Sequence, residues 1–251
     1  MEFVSVALRQ GLECSISDLR TLPEFQALAA LEVLGELGRV CERTGIECSP
    51  PLATGEFDDR RVFSALKSAD ELEGACKEAL KAGEGHRVEY KQTLGLNVRR
   101  LEQQPETPAA DLFSDEIIHE VIKTIVAFLN ADGGVLLIGV CDDGAPYGVE
   151  NEFGYLGGKA DQDQWELRLS AALKAFIPDY RIITGYIRHG FVEADGCRVC
   201  VLNVEPRRDW LNVCIKSAKP GAEEIVYRRA GNQSVRLQAR DIEALVMNRQ
   251  R

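Results

Sequence analysis

The chain carries its cations in short clusters: Lys91, Arg99-Arg100, Arg207-Arg208, Arg228-Arg229 and Arg236. Guanidinium groups gathered along one groove would contact phosphates. Taken singly, each cluster serves equally well as a solvated strand end. Arg228 and Arg229 are neighbours on an expected strand, so at most one of them points into any given groove. Cys197-x-x-Cys200 has the spacing of half a zinc site. It falls on an expected strand, where i and i+3 face opposite sides, and the histidines (His86, His119, His189) supply no second pair at ligand spacing. No zinc is expected. His86 is either an acid–base group or a surface residue. Trp165 stands at helical spacing with Leu169 and reads as core, whereas Trp210, beside Arg207-Arg208, is a candidate for base stacking. Gly154-Tyr-Leu-Gly-Gly158 neither follows a strand nor opens a helix, so it makes a weak nucleotide-binding loop.

These residues need elements to position them. Residues 24–43 place Phe25, Leu28, Leu31, Leu34 and Leu37 three apart, which predicts an amphipathic helix. After a break rich in Pro and Gly, a second helix is expected from about Asp58 to Ala82. From Arg87 the pattern becomes mixed. A short strand (87–91) leads into a polar loop, and Ser114 caps a helix whose apolar residues from Ile117 to Leu129 cover more than one stripe. Asn130-Ala-Asp-Gly-Gly134 ends that helix, and an apolar strand runs from Val135 to Val140. Asp142-Asp143-Gly144 turns into a strand at 147–149. A helix follows at 161–176, then strands at 182–188, 197–204, 213–216 and 225–229, and a closing helix at 239–247. The expected fold is α+β: helices packed on a largely antiparallel sheet (83–251), preceded by a small helical N-terminal appendage (1–82).

The 251 residues carry a formal net charge of −10, against the basic footprint usual for a nucleic-acid domain. The acidity is uneven. Residues 1–85 hold 9 Lys and Arg against 16 Asp and Glu, a net of −7, which leaves −3 for the rest. No apolar run approaches the roughly 20 residues that span a bilayer. The first residues lack a cationic start before an apolar core, so no secretory leader is expected. Eight cysteines in a chain long enough to build its own core read as reduced thiols, and a cytoplasmic location is expected.

Lys123-Thr-Ile-Val-Ala-Phe-Leu-Asn-Ala-Asp-Gly-Gly-Val-Leu-Leu-Ile-Gly-Val140, with Asp142-Asp143-Gly144 behind it, closely resembles the signature of the Schlafen-type, Alba-like nucleic-acid-binding domain. Val88-Glu-Tyr-Lys91 resembles the family's leading acid-x-Lys strand. Val226-Tyr-Arg-Arg-Ala-Gly-Asn-Gln-Ser234 resembles its late arginine–glycine strand and turn. The three matches are collinear over about residues 84–246. The loop at 93–113 is long for the family, and Cys141 stands where an Asp is common.

The resemblance implies more than a fold. Some members are metal-dependent endoribonucleases that act on transfer and ribosomal RNA through three acids, which map here to Glu84, Glu89 and Asp142. Others are known only as DNA-binding modules, so the alternatives are a non-catalytic DNA- or RNA-binding module, or a regulatory protein whose helical appendage (1–82) binds a partner. A nuclease would hold Mg²⁺ or Mn²⁺ on the three carboxylates to supply a metal-bound nucleophile and neutralise the leaving oxygen. Glu84 and Glu89 face apart on a regular strand or helix. Their convergence therefore needs a bend, which Gly83 and Gly85 permit. The alternative leaves Glu84 solvated and Asp142 shaping its turn. Structured RNA such as tRNA, or DNA, is the implied partner. Because nuclease members often build their groove from two copies of the domain, a homodimer is expected.

Overall fold

The computed structural model describes residues 13–21, 25–26, 28–44, 46–49, 52, 57–65, 69–183, 186–207, 213–217 and 223–249. The chain divides into two units, residues 1–68 with 181–185, and residues 69–180 with 186–251.

In the first unit, β1 (Glu13–Cys14) leads into α1 (Ile16–Leu19), α2 (Ala30–Thr44), β2 (Ile46–Ser49) and β3 (Arg61–Ala65). The strands form one antiparallel sheet in the order β1-β3-β2. Ser15 and Asp18 cap α1 reciprocally, each side chain accepting the other's backbone N–H. Phe25, Val33, Leu37, Ile46 and Phe63 form the core. Of the expected apolar stripe, Leu31 lies outside it, 74% exposed. The helix expected from Asp58 begins only at Ala69. The segment Arg61–Ala65 is a strand because β1 and β2 pair with it on both sides, and this non-local pairing outweighs the helical spacing of Val62 and Leu66.

The second unit runs α3 (Ala69–Ala82), β4 (Val88–Lys91), α4 (Val98–Gln103), α5 (Ala109–Leu112), α6 (Asp115–Leu129), β5 (Gly134–Ile138), a 3-10 turn (Val149–Tyr155) and α7 (Gln162–Phe176). α8 (Tyr180–Ile183) belongs, from residue 181 on, to the first unit; the second unit resumes with β6 (Ile187–Ala194), β7 (Cys197–Val204), β8 (Cys214–Lys216), β9 (Glu224–Ala230), β10 (Gln233–Arg236) and α9 (Ala239–Arg249). Its main sheet has the order β4-β5-β7-β6, with β4 and β5 parallel and the other pairs antiparallel. A second antiparallel sheet has the order β10-β9-β8. The architecture is α+β, as the alternation of elements predicts.

Cys76 and Ala79 of α3 pack with Tyr90, Leu137, Val199 and Val201 on one face of the main sheet. Residues 69–82, read from sequence as part of the appendage, therefore contribute to the core of this unit. The opposite face bears Leu136, Cys200 and Leu202, all wholly buried. Ser114 accepts the Ile117 N–H and opens α6, whose Ile118, Val121, Ile122, Ile125 and Val126 are buried. Asp161 caps α7 in the same way.

Gly133 makes the reversal between α6 and β5 at φ +71°, and a Cβ there would lie 2.6 Å from the Val204 carbonyl oxygen. Only glycine meets both demands. The strand expected at 182–188 lies later, at Ile187–Ala194. The turn at Asp195 (φ 51°) and Gly196 (φ 78°) sets an unbroken register with β7, from Ala194↔Cys197 back to Ile187↔Val204. The strand expected at 147–149 is instead a lone bridge, Val140↔Pro146, followed by the 3-10 turn. None of the described helices is long and apolar enough to cross a membrane.

Candidate nucleic-acid interface

Glu84 precedes strand β4 and Glu89 lies within it, at an edge of the main sheet. Gly83 leaves α3 at φ +73°, and its N–H caps the helix by donating to Ala79 O at 3.0 Å. The bend brings Glu84 back over the strand, where Oε1 accepts the Tyr90 N–H at 3.0 Å. Gly85 N–H donates to Val88 O at 2.9 Å. Loop groups thus satisfy backbone atoms of β4 on its outer edge.

Alternation along β4 sends Tyr90 one way and Glu89 and Lys91 the other. Tyr90 is buried on the α3 side, with its hydroxyl donating to Ala79 O at 2.8 Å. Glu89 receives two cations. Lys91 Nζ lies 2.5 Å from Oε1, and Arg229 Nη2 lies 2.6 Å from Oε2. The Arg229 side chain is 1% exposed and Glu89 is 14% exposed. Arg229 also donates to Gly85 O and Val88 O, and its guanidinium sits 5.2 Å above the Phe128 ring. One carboxylate with two cations leaves this cluster formally positive.

Asp142 follows β5 in the chain. It is exposed in the turn after β5, closed by Cys141 N–H to Ala145 O and by Asp143 accepting the Ala145 N–H. Among the described residues, no three His, Cys, Asp or Glu side chains are grouped to hold a metal ion. A divalent cation on Glu89 would have to displace a buried guanidinium or share its positive surroundings. In this arrangement the donor set does not fit Mg²⁺ or Mn²⁺.

The cationic candidates separate into distinct environments. Lys91 and Arg229 are engaged with Glu89. Arg99 and Arg100 are exposed on α4, where Arg100 also donates to Asp111 O. Arg236 pairs with Glu223 at 2.7 Å. Arg228 points away from Arg229 and lines a cavity with Arg87, Asp132 and the buried Arg207. His86 Nε2 lies 2.9 Å from Asp132 Oδ2. That hydrogen bond, aided by Arg87 and Arg228, holds the Asp132 carboxyl below its usual range. Arg208 and Trp210 lie outside the described residues. Cys197 and Cys200 sit on β7, Cys200 fully buried.

The sequence reading missed Glu152. Its side chain is fully buried and accepts from the backbone N–H groups of Leu94, Gly95 and Leu96 and from Trp165 Nε1 at 2.8 Å. Burial raises its pKa against the pull of these donors. Glu152 lies three residues after buried Val149 and four before buried Leu156, on a helical face that should be apolar. That spacing is the signal that would have found it. It clasps the loop that follows β4, and so helps to fix the edge carrying Glu89.

A search of curated proteins finds no match. Among solved structures, the DIP2311 protein from Corynebacterium diphtheriae is similar at 16% identity and a TM-score of 0.42, over 70% of this chain and 28% of that one. The matched part of this chain thus spans less than a third of that chain. The model of the Schlafen, AlbA_2 family matches residues 84–238, well over half of the chain, and takes in Glu84, β4, the Gly133-Gly134 reversal and the arginine strand. The chain belongs to the Schlafen, AlbA_2 family.

Proposed function

We propose that the domain binds nucleic acid, RNA in the first instance, as a non-catalytic module whose acids organise the strand edge. The observation that carries this reading is the engagement of Glu89 by Arg229 and Lys91. A carboxylate neutralised by two cations, one of them buried, serves the architecture, because removing either partner exposes an uncompensated charge. Glu84 likewise closes a backbone hydrogen bond. Exposed Arg87, Arg99 and Arg100 are then available for phosphates, with base edges read elsewhere. A cytoplasmic location belongs to the same proposal, on the reading of the cysteines as reduced thiols. Binding of a labelled structured RNA, measured by anisotropy against rising salt, tests it. The affinity should fall linearly on log–log axes with a slope set by the phosphates contacted; absence of binding at low salt overturns it.

One observation favours a second reading. Glu84 precedes β4, Glu89 lies within it, and Asp142 follows its parallel neighbour β5. We infer from this and from the family pattern that a metal-dependent endoribonuclease acting on structured RNA, tRNA among the candidates, is the competing function. It would require Mg²⁺ or Mn²⁺ and a change of partners at Glu89, and a homodimer would double the groove. Incubation of the protein with tRNA and Mn²⁺, beside the Asp142→Ala variant, separates the two readings.

A further inference from the structure

A cavity of about 280 Å³ opens among Arg87, Asn130, Asp132, Pro206, Arg207 and Arg228. It lies where α6 ends and β5 begins, and β9 supplies Arg228. Arg87, Arg228 and Asp132 are its charged groups on the open side, and the buried Arg207 forms part of its wall. Arg87 and Arg228 have no hydrogen-bond or ion-pair partner for their side chains among the described residues. Both act on Asp132 through space, and Asp132 is already held by His86 at 2.9 Å.

The other polar groups are committed. Asn130 is wholly buried, donating to Val213 O and Tyr227 O and accepting the Val213 N–H, all at 2.8 Å. It forms a fixed wall. The C-terminus of α6 adds about half a negative charge, too little to cancel the arginines. What remains open to a ligand is therefore two guanidinium forks that donate and cannot accept. Their complement is an anion with several acceptor oxygens, and a phosphate meets Arg forks in bidentate fashion.

We propose that this cavity binds a phosphate monoester: the terminal phosphate of a nucleic-acid strand, or that of a free mononucleotide. A monoester carries about −1.5 to −2 at neutral pH on three terminal oxygens and serves both the Arg87 and the Arg228 forks, whereas an internal phosphodiester carries −1 and leaves one of the two uncompensated. The volume is just below the roughly 300–1,000 Å³ of small-molecule sites. It accommodates a phosphate with an attached sugar. The strand-end form of the proposal rests on the nucleic-acid reading above; the mononucleotide form does not.

The test compares the full chain's binding of one short RNA with a 5′-phosphate, with a 3′-phosphate and with hydroxyl ends, and of a nucleoside monophosphate alone. Each is repeated with Arg87→Gln and Arg228→Gln. Neither residue is buried, and unchanged melting temperatures confirm intact folding. Losing charge-assisted hydrogen bonds predicts at least about tenfold tighter binding of a phosphorylated end than of hydroxyl ends, with most of that preference lost in each variant. Binding of the monophosphate without the strands upholds the cavity and overturns the nucleic-acid reading. Equal binding of strands whatever their ends, with no monophosphate binding, overturns the cavity and leaves that reading standing. A phosphate preference unchanged in both variants also overturns the assignment.

Discussion

Arg229 on β9 reaches Glu89 on β4 at 2.6 Å across a sequence separation of 140 residues. The same nitrogen donates to Gly85 O at 2.6 Å, so one guanidinium joins the smaller sheet to the edge of the main one. Replacing it with Met should cost about 3 kcal/mol, the low end for breaking a buried pair, because Lys91 still faces Glu89. Arg229→Lys should recover only part, since an ammonium lacks the fork that spans carboxylate and carbonyls. Urea midpoints of both variants check this; a Met variant as stable as wild type would show the pair to be dispensable.

At Gly133, an added methyl meets the Val204 carbonyl at 2.6 Å and a left-handed backbone. Gly133→Ala should destabilise by about 1–3 kcal/mol. Gly154→Ala, where nothing lies within 4 Å and φ is ordinary, should be close to neutral. Thermal unfolding of the two variants side by side measures the difference.

Glu152→Gln leaves four buried donors facing one acceptor oxygen and should cost at least about 2 kcal/mol. Burial raises the folded-state pKa of Glu152. A raised pKa gives stability that is complete below the unfolded value of about 4.3 and is lost as pH rises through the folded value. Gln has no such proton. The wild type's advantage over Glu152→Gln should therefore be largest near pH 4 and shrink towards neutrality. An advantage that grows with pH across urea titrations would contradict the assignment.

Burial, together with neighbouring Cys41, pushes the Cys48 thiol up to about 12. Burial also holds Cys200 well above its ordinary value. The thiolate is the reactive form. Iodoacetamide at about pH 8 should leave both unmodified in the native protein and label both in urea, as read by peptide mass spectrometry. Rapid native labelling of Cys48 would refute its raised pKa.

Local patterns were readable from sequence where local chemistry decides the structure. Ser114 and Asp161 cap the helices they were expected to open, and Gly133-Gly134 makes the expected reversal. The bend at Gly83 follows from residue type. Arg61–Ala65 was not readable, because its strand exists through pairing with β1 and β2 on either side. Nor was the partnership of Glu89 with Arg229, which no spacing encodes across 140 residues. For the same reason the family pattern names the acids but not their partners, and it is the partners that determine what Glu89 can do.

The most direct test of the central claim is to incubate the full chain with a labelled tRNA, in EDTA and in Mn²⁺, following anisotropy and RNA length together. The account predicts salt-sensitive binding of similar affinity in both conditions, with the RNA intact. Mn²⁺-dependent cleavage that disappears with Asp142→Ala would contradict it.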